Sequence, residues 1–464
     1  MSKSGGPSLS TQCRDALLTS LQSQFGEIAK IRGQIHSKKS NILDRVLPWL
    51  DQQAPGLLAP ILANHSVDHF FIERVKQTAI EEIYSERLHP TLRLAPSPLV
   101  APVCDTVHCL LFDQLPNAYN ELFPLMLDSY IADLERYGEA RRLVVAAHVD
   151  WLNKNSNILR GAFYSPEDDE VVETAFECEL CFDSVHYLCI SPQGHEAASR
   201  RLKPLNLIEV NPAQISSQMD DKYECCQKWL NRGVPTPPAA LLKQGETSGA
   251  EVQQALQLLF DASPPESALV VAQPNQGTEG RGVKAFRIGN NDERAALIKH
   301  IQTIGKADGV LLRRGVEGVY LLNHMTRERS LFDIRITVAS GVAESGYIQS
   351  AAKNAVIASP SQGGRIVEWK ALDAYLIESD GETTPFDLSL LRKIQFTAVQ
   401  AVRTFGDGTM AGVDLRLGPT RGEKRFEAWV LDVNPRPAGL GRSCFWNGEP
   451  GVTHRLWLQL PSID

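Results

Sequence analysis

Asp414, Asp432 and Asn434 are the residues whose types and spacing most clearly suit chemistry in this chain. The segment AWVLDVNPRPAGLG, residues 428–441, sets Asp432 and Asn434 two apart on an apolar run that ends in a Pro-Arg-Pro turn. Side chains two apart on a strand face the same way. Just upstream, MAGVDLRL (410–417) alternates Val413, Leu415 and Leu417 with Asp414 and Arg416, and the polar GPTRGEK stretch that follows predicts a hairpin bringing Asp414 beside the other two. Two carboxylates and one amide oxygen are hard ligands, few enough to suit a magnesium ion that keeps some waters and is shared with nucleotide phosphates. Asp, Asn and Pro also end strands and open turns where no metal is involved, so this pattern alone leaves both readings open.

A second stretch, ALVVAQPNQGTEGRGVKAFRI (268–288), reads as strand, loop and strand, with Gly277, Gly280 and Gly282 in the loop. Glycines at such a place let backbone N–H groups approach phosphate oxygens without side-chain obstruction. The pattern GxxxxGK[ST] is missing and no amphipathic helix follows the glycines, so neither a P-loop nor a dinucleotide-binding fingerprint fits.

Taken in order, these segments and four others resemble the ATP-grasp superfamily, in particular its glutathione-synthetase-like branch of carboxylate-amine ligases. DDKYECCQKWLNRGVPTP (220–237) is similar to the family's early phosphate-binding segment, with Lys222 at the lysine. VLLRRGVEG (310–318) stands at the hinge that contacts adenine, FDIRITVASG (332–341) is similar to the Asp-x-Arg strand with Arg335 as its arginine, and SQGGR (361–365) matches the Gly-Gly loop. The resemblance implies ATP and Mg2+ as cofactors, Asp414, Asp432 and Asn434 as metal ligands, and small-molecule carboxylate and amine substrates joined through an acyl phosphate. Lys222, Gln273, the loop glycines and Glu317 would bind nucleotide, Arg335 and Arg436 would act in catalysis, and Arg365, Arg436 and Arg442 would hold a substrate carboxylate by bidentate hydrogen bonds. A phosphotransferase acting on a small-molecule hydroxyl, and a nucleotide-binding protein without catalysis, are the alternatives on the same fold.

Four positions depart from the family pattern. Gln273 stands where relatives usually carry lysine before the proline, and it supplies no charge. Arg313 and Arg314 occupy the hinge where relatives often carry Gln and Glu. Asp432 replaces a glutamate, shortening the ligand arm while keeping a carboxylate.

The elements that must position these residues form an α/β architecture. Residues 1–88 predict an N-terminal helical segment and 89–215 an open α/β layer, beginning with a proline-rich connector. For residues 216–464 the resemblance implies an ATP-grasp domain with two α+β nucleotide-binding subdomains. LSLLRKIQFTAVQAVRTFG (388–406) predicts an amphipathic helix leading into the metal hairpin. A chain of 464 residues exceeds one hydrophobic core, and its formal charge of -8 gives no general pull toward nucleic acid or anionic membrane. No apolar run approaches a bilayer span and the first residues lack the apolar core of a signal peptide, so a cytoplasmic protein is expected, with a homodimer as the form family members often take. Nine cysteines point to reduced thiols. Cys178, Cys181, His186 and Cys189 have some of the spacing of a zinc site, which Cys104, His108 and Cys109 could enlarge, but no second CxxC completes it.

Overall fold

A computed structural model describes residues 92–436 apart from 96, 114–141, 166–169, 190–191, 261–267, 277–281, 306–308, 324–326, 344–345, 353–354, 359–363, 368–374, 407–408 and 420–425. The chain divides into two compact units, Met1–Leu94 and Ala95–Asp464. The helical patterns expected over 13–88 lie outside the described residues, and of the first unit only the strand Leu92–Leu94 is described.

The second unit opens with a layer built from β1 (Thr106–Phe112), β2 (Arg142–His148), β3 (Ile158–Ser165), β4 (Glu170–Leu180), β5 (Ser184–Tyr187), α1 (Pro192–Leu202) and β6 (Ile208–Val210). Across the sheet the strands run β4-β3-β2-β1-β5-β6. β1 is parallel to both β2 and β5, and β5 is parallel to β6. Such strands are covered on both faces, which is why TVHCLLF and RLVVAAH read as nearly continuous apolar runs. The mixed order, with β3 and β4 antiparallel, makes this an open α/β layer.

Its core encloses three histidines. His108, His186 and His195 are each at most 2% exposed, and among the described residues neither ring nitrogen of His186 nor Nε2 of His195 has a hydrogen-bond partner. Burial lowers His195 to about 4, helped by the nearby Arg436 charge, and lowers His186 to about 3, helped by His195. The unfolded chain takes up these protons near pH 6.5, whereas the folded chain holds them off. The stability they contribute is therefore complete above about 6.5 and falls as pH drops to about 4 for His195 and about 3 for His186. Urea midpoints measured across this range should fall with acidity, and a double variant, His186→Phe with His195→Phe, should show a shallower fall. The same slope in both proteins would contradict this account.

Two helices lead to the next lobe, α2 (Ala213–Asp220) and α3 (Lys222–Asn231). That lobe is β7 (Ala239–Leu242), α4 (Gly249–Phe260), β8 (Leu269–Pro274), β9 (Lys284–Arg287), α5 (Asn291–Ile304) and β10 (Val310–Arg314), with sheet order β9-β8-β10-β7. The helices bury Val252, Leu256, Leu297 and Ile301 against Val270, Ala272 and Leu312 of the sheet. The glycine-rich stretch is thus a β8-β9 hairpin, as its alternation predicts.

The last lobe comprises β11 (Val319–Asn323), β12 (Phe332–Ala339), β13 (Tyr347–Ser350), β14 (Arg365–Val367), β15 (Tyr375–Ser379), β16 (Glu382–Pro385), α6 (Leu388–Arg403), β17 (Met410–Pro419) and β18 (Phe426–Asn434). One sheet runs β14-β13-β12-β17-β18, and β11, β15 and β16 adjoin in another. Helix α6 starts where Asp387 accepts a hydrogen bond from the Leu390 N–H at 2.7 Å. It buries Ile394, Ala398, Ala401 and Val402 against the strands that carry Asp414 and Asp432. Trp229 of α3 is fully buried, donates to the Ala401 carbonyl at 3.1 Å and packs edge-on against Phe405, so α3 and α6 share one core. Among the described residues no helix is long and apolar enough to cross a membrane.

Candidate active site

Antiparallel pairing aligns Arg335 of β12 with Asp414 of β17, and Asp414 with Asp432 of β18. Residues directly opposite on neighbouring strands share a face, so all three side chains point into one cleft. Getting Asp432 there requires an irregularity. Ala428 and Val430 are buried in the core, and strict alternation would send Asp432 in after them. The register instead slips between Asp414 and Leu415, leaving Leu431 as an extra residue on β18. This β-bulge returns Asp432 and Asn434 to the face that holds Asp414.

β12 and β17 carry the same short pattern, Asp333-Ile334-Arg335 and Asp414-Leu415-Arg416, in opposite directions. Each aspartate therefore meets the other strand's arginine. Arg335 holds Asp414 through two hydrogen bonds of 2.5 and 2.8 Å, and Arg416 donates to Asp333 at 2.6 Å and to the Val356 carbonyl at 3.1 Å. Burial opposes the Arg335 charge, but Asp414 and other anionic neighbours outweigh it and raise its pKa above the usual arginine value. For Asp333 burial wins, raising its pKa despite Arg416. A buried pair of this kind is costly to break because one charge is left uncompensated.

Lys222 is the first residue of α3, whose start is fixed from both sides. Asp221 caps the helix by accepting from the Glu224 N–H at 2.8 Å. Asn275, immediately after β8, accepts from the Lys222 N–H through its carbonyl at 3.2 Å and from the Tyr223 N–H through Oδ1 at 2.9 Å. The lysine Nζ then lies 3.2 Å from Asp432 Oδ2. Gln273 and Arg313 are buried in the adjacent wall, and Val271, Val316 and Leu431 supply apolar surface.

The cleft thus gathers Lys222, Gln273, Arg335, Asp414, Asp432 and Asn434 from the residues singled out in the sequence. Others are placed differently. Glu317 pairs with Arg287, and Arg365 pairs with Glu328 at 3.0 Å; neither lines the cleft. Arg436 is buried and gives its guanidinium to Asp220 at 2.5 and 2.6 Å, so it reaches the cleft only through that aspartate. Gly282 has φ +71 and accepts a hydrogen bond from His300 at its carbonyl, whereas Gly277, Gly280 and Arg442 lie outside the described residues. Asp220, Asp333, Asn275 and Arg416 were not singled out from the sequence. The duplicated Asp-x-Arg pattern was the available signal for Asp333 and Arg416.

The cysteine and histidine spacing resolves into separate places. Cys178 and Cys181 are exposed, whereas His186 and Cys189 are buried in and after β5, where burial pushes the Cys189 thiol up to about 12. Among the described residues no three His, Cys, Asp or Glu side chains form a metal-holding group. Asp414, Asp432 and Asn434 combine two carboxylates with an amide.

No family model and no curated protein matches the chain. Solved structures similar to it include D-cycloserine synthetase DcsG, at 15% identity over 76% of this chain and 97% of that one, with a TM-score of 0.48. A D-alanine–D-alanine ligase from Bacillus anthracis complexed with ATP is 15% identical over 76% and 94%, with a TM-score of 0.42. VanG D-Ala:D-Ser ligase from Enterococcus faecalis is 12% identical over 76% and 98%, with a TM-score of 0.44. At these values the likenesses assign no role to any residue of the cleft.

Proposed function

We propose that this chain is an ATP-grasp carboxylate-amine ligase, using ATP and Mg2+ to join a small-molecule acid to an amine. The observation that carries this reading is the meeting of Asp414, Asp432 and Asn434 on one face of a bulged hairpin, opposite Lys222 and Arg335. The donor set fits magnesium: the ligand atoms are hard oxygens, and three of them leave positions for water and phosphate. Each carboxylate already meets one cation but has further lone pairs to offer.

Magnesium bound there would neutralise phosphate charge and align the terminal phosphoryl group. Lys222 and Arg335 are placed to take the remaining phosphate charge as their carboxylates turn toward the metal. A carboxylate oxygen of the acid attacks the terminal phosphorus, the bond to ADP breaks, and an acyl phosphate forms. The amine then attacks the acyl carbon, the carbon–oxygen bond breaks, phosphate leaves with that oxygen, and the amine proton is lost to solvent. No protein nucleophile is needed, so the protein's contribution is positioning and charge.

The test is to incubate the protein with ATP and Mg2+ against pooled amino acids and small carboxylic acids, resolving nucleotides by chromatography and products by mass. The reading predicts ADP, phosphate and a new mass equal to acid plus amine minus water. A product heavier by one phosphoryl group would replace the ligase with a kinase, and magnesium-dependent binding without turnover on any pool would favour a non-catalytic nucleotide-binding protein.

A further inference from the structure

Among the described residues, the charged groups lining the cleft can be matched pair by pair, and one buried cation is left over. Lys222 meets Asp432, Arg335 meets Asp414, Arg416 meets Asp333, and Asp220 is taken by Arg436. Arg314 is exposed and lies over the Phe260 ring, so water solvates its charge. Arg313 is different. It is 5% exposed and has no carboxylate at ion-pair distance among the described residues. Its guanidinium donates to the Leu431 carbonyl and to Cys226 Sγ at 3.3 Å, and its Nε has no partner among the described residues. A guanidinium has five N–H donors and keeps its charge at any ordinary pH, so this one retains donors and a full positive charge that its surroundings leave unmatched. A buried charge without a counter-ion is unfavourable, and an anion entering the cleft would relieve it.

The register places Arg313 beside the uncharged Gln273. Gln273 of β8 pairs with Leu311 of β10, and Arg313 pairs with Val271. Arg313 and Gln273 are therefore diagonal neighbours on one face, with a spacing of roughly 7–8 Å that an arginine side chain spans. Both line the cleft. We propose that Arg313 is the anchoring cation for the phosphate chain of the nucleotide, supplying from β10 the positive charge that Gln273 does not provide from β8. This inference rests on the nucleotide reading of the cleft. The ligand chemistry is a chain of phosphoryl oxygens, which a donor-only guanidinium can bind with two parallel hydrogen bonds.

Calorimetric titrations of the full chain with ATP and with inorganic tripolyphosphate, each with Mg2+, test it. Arg313→Gln should weaken both ligands about tenfold or more, the size expected for loss of a charged hydrogen bond. Adding Gln273→Lys to Arg313→Gln should return both affinities to within about threefold of the native chain, because the lysine enters from the same face. Thermal melting shows whether each variant is folded. If Arg313→Gln does not fold, Gln273→Glu replaces it as the test, since a carboxylate beside Arg313 would claim its charge and weaken both ligands by about the same factor. Unchanged affinities, or a double variant without recovery, would overturn the proposal. So would a loss confined to ATP with tripolyphosphate unaffected, which would move Arg313 to the base. Tight binding of both ligands that ignores residue 313 would leave the nucleotide reading standing, whereas a native chain that binds neither would remove both.

Discussion

Asp432→Asn is expected to lower magnesium-dependent nucleotide turnover by roughly 100-fold or more while leaving a folded protein. Loss of one group that stabilises transition-state charge typically has that size. The variant keeps the shape of the side chain and the bulge at Leu431 that aims it, and removes the charge that would hold the cation. Its structural cost is smaller. Asp432 is one-third exposed and pairs with Lys222 at 3.2 Å, so the lost ion pair is worth about 1 kcal/mol after allowance for solvent. Asp432→Glu restores a carboxylate on a longer arm and should retain turnover within about tenfold, since one methylene alters the geometry and keeps the ligand type. Initial rates at several Mg2+ concentrations, alongside thermal melts, separate the two effects. Unchanged turnover in Asp432→Asn would reject the metal assignment.

Gly346→Ala should be among the most destabilising single changes in the chain. Gly346 has φ +74, and a Cβ added there would overlap the backbone carbonyl of Arg335 on the neighbouring strand. The left-handed conformation alone costs a non-glycine residue about 1–2 kcal/mol. Displacing the β12 backbone brings the expected loss to about 4 kcal/mol or more, a large part of the 5–15 kcal/mol that holds a typical domain together. Gly381, with φ +79 and nothing within 4 Å of an added Cβ, provides the control. Gly381→Ala should show the conformational cost without the overlap. Urea unfolding of both variants checks the difference, and equal losses would mean that close approach at Arg335 is not what fixes glycine at 346. A partly folded Gly346→Ala protein should also bind Mg2+ and ATP more weakly, because the displaced strand carries the arginine that faces Asp414.

The hairpin that carries Asp414, Asp432 and Asn434 could be read directly, because alternation and a polar turn are local signals. The apolar stripe of α6 and the strand-loop-strand around the glycines were readable for the same reason. The bulge at Leu431 was not, since Ala428, Val430 and Asp432 share one sequence phase and only the pairing with β17 breaks it. Nor could local pattern show which charges meet. Arg436 finds Asp220 across 216 positions, and Arg416 finds Asp333 across 83. Those partners are set by strand order and helix docking. Arg365 and Arg436 flank glycine-containing loops in the sequence, whereas the folded chain pairs them with Glu328 and Asp220. That Arg313 has no carboxylate partner among the described residues is likewise a matter of strand order, which local pattern does not carry.

The most direct measurement follows an oxygen atom. A pool of carboxylic acids exchanged with 18O-labelled water is incubated with the protein, ATP, Mg2+ and pooled amines, and the inorganic phosphate released is analysed by mass. The ligase account predicts that each phosphate carries one 18O from the acid, because that oxygen bridges carbon and phosphorus in the acyl phosphate and departs with phosphorus when the amine attacks. Unlabelled phosphate accompanying amide formation, or label retained in a phosphorylated product, would contradict it.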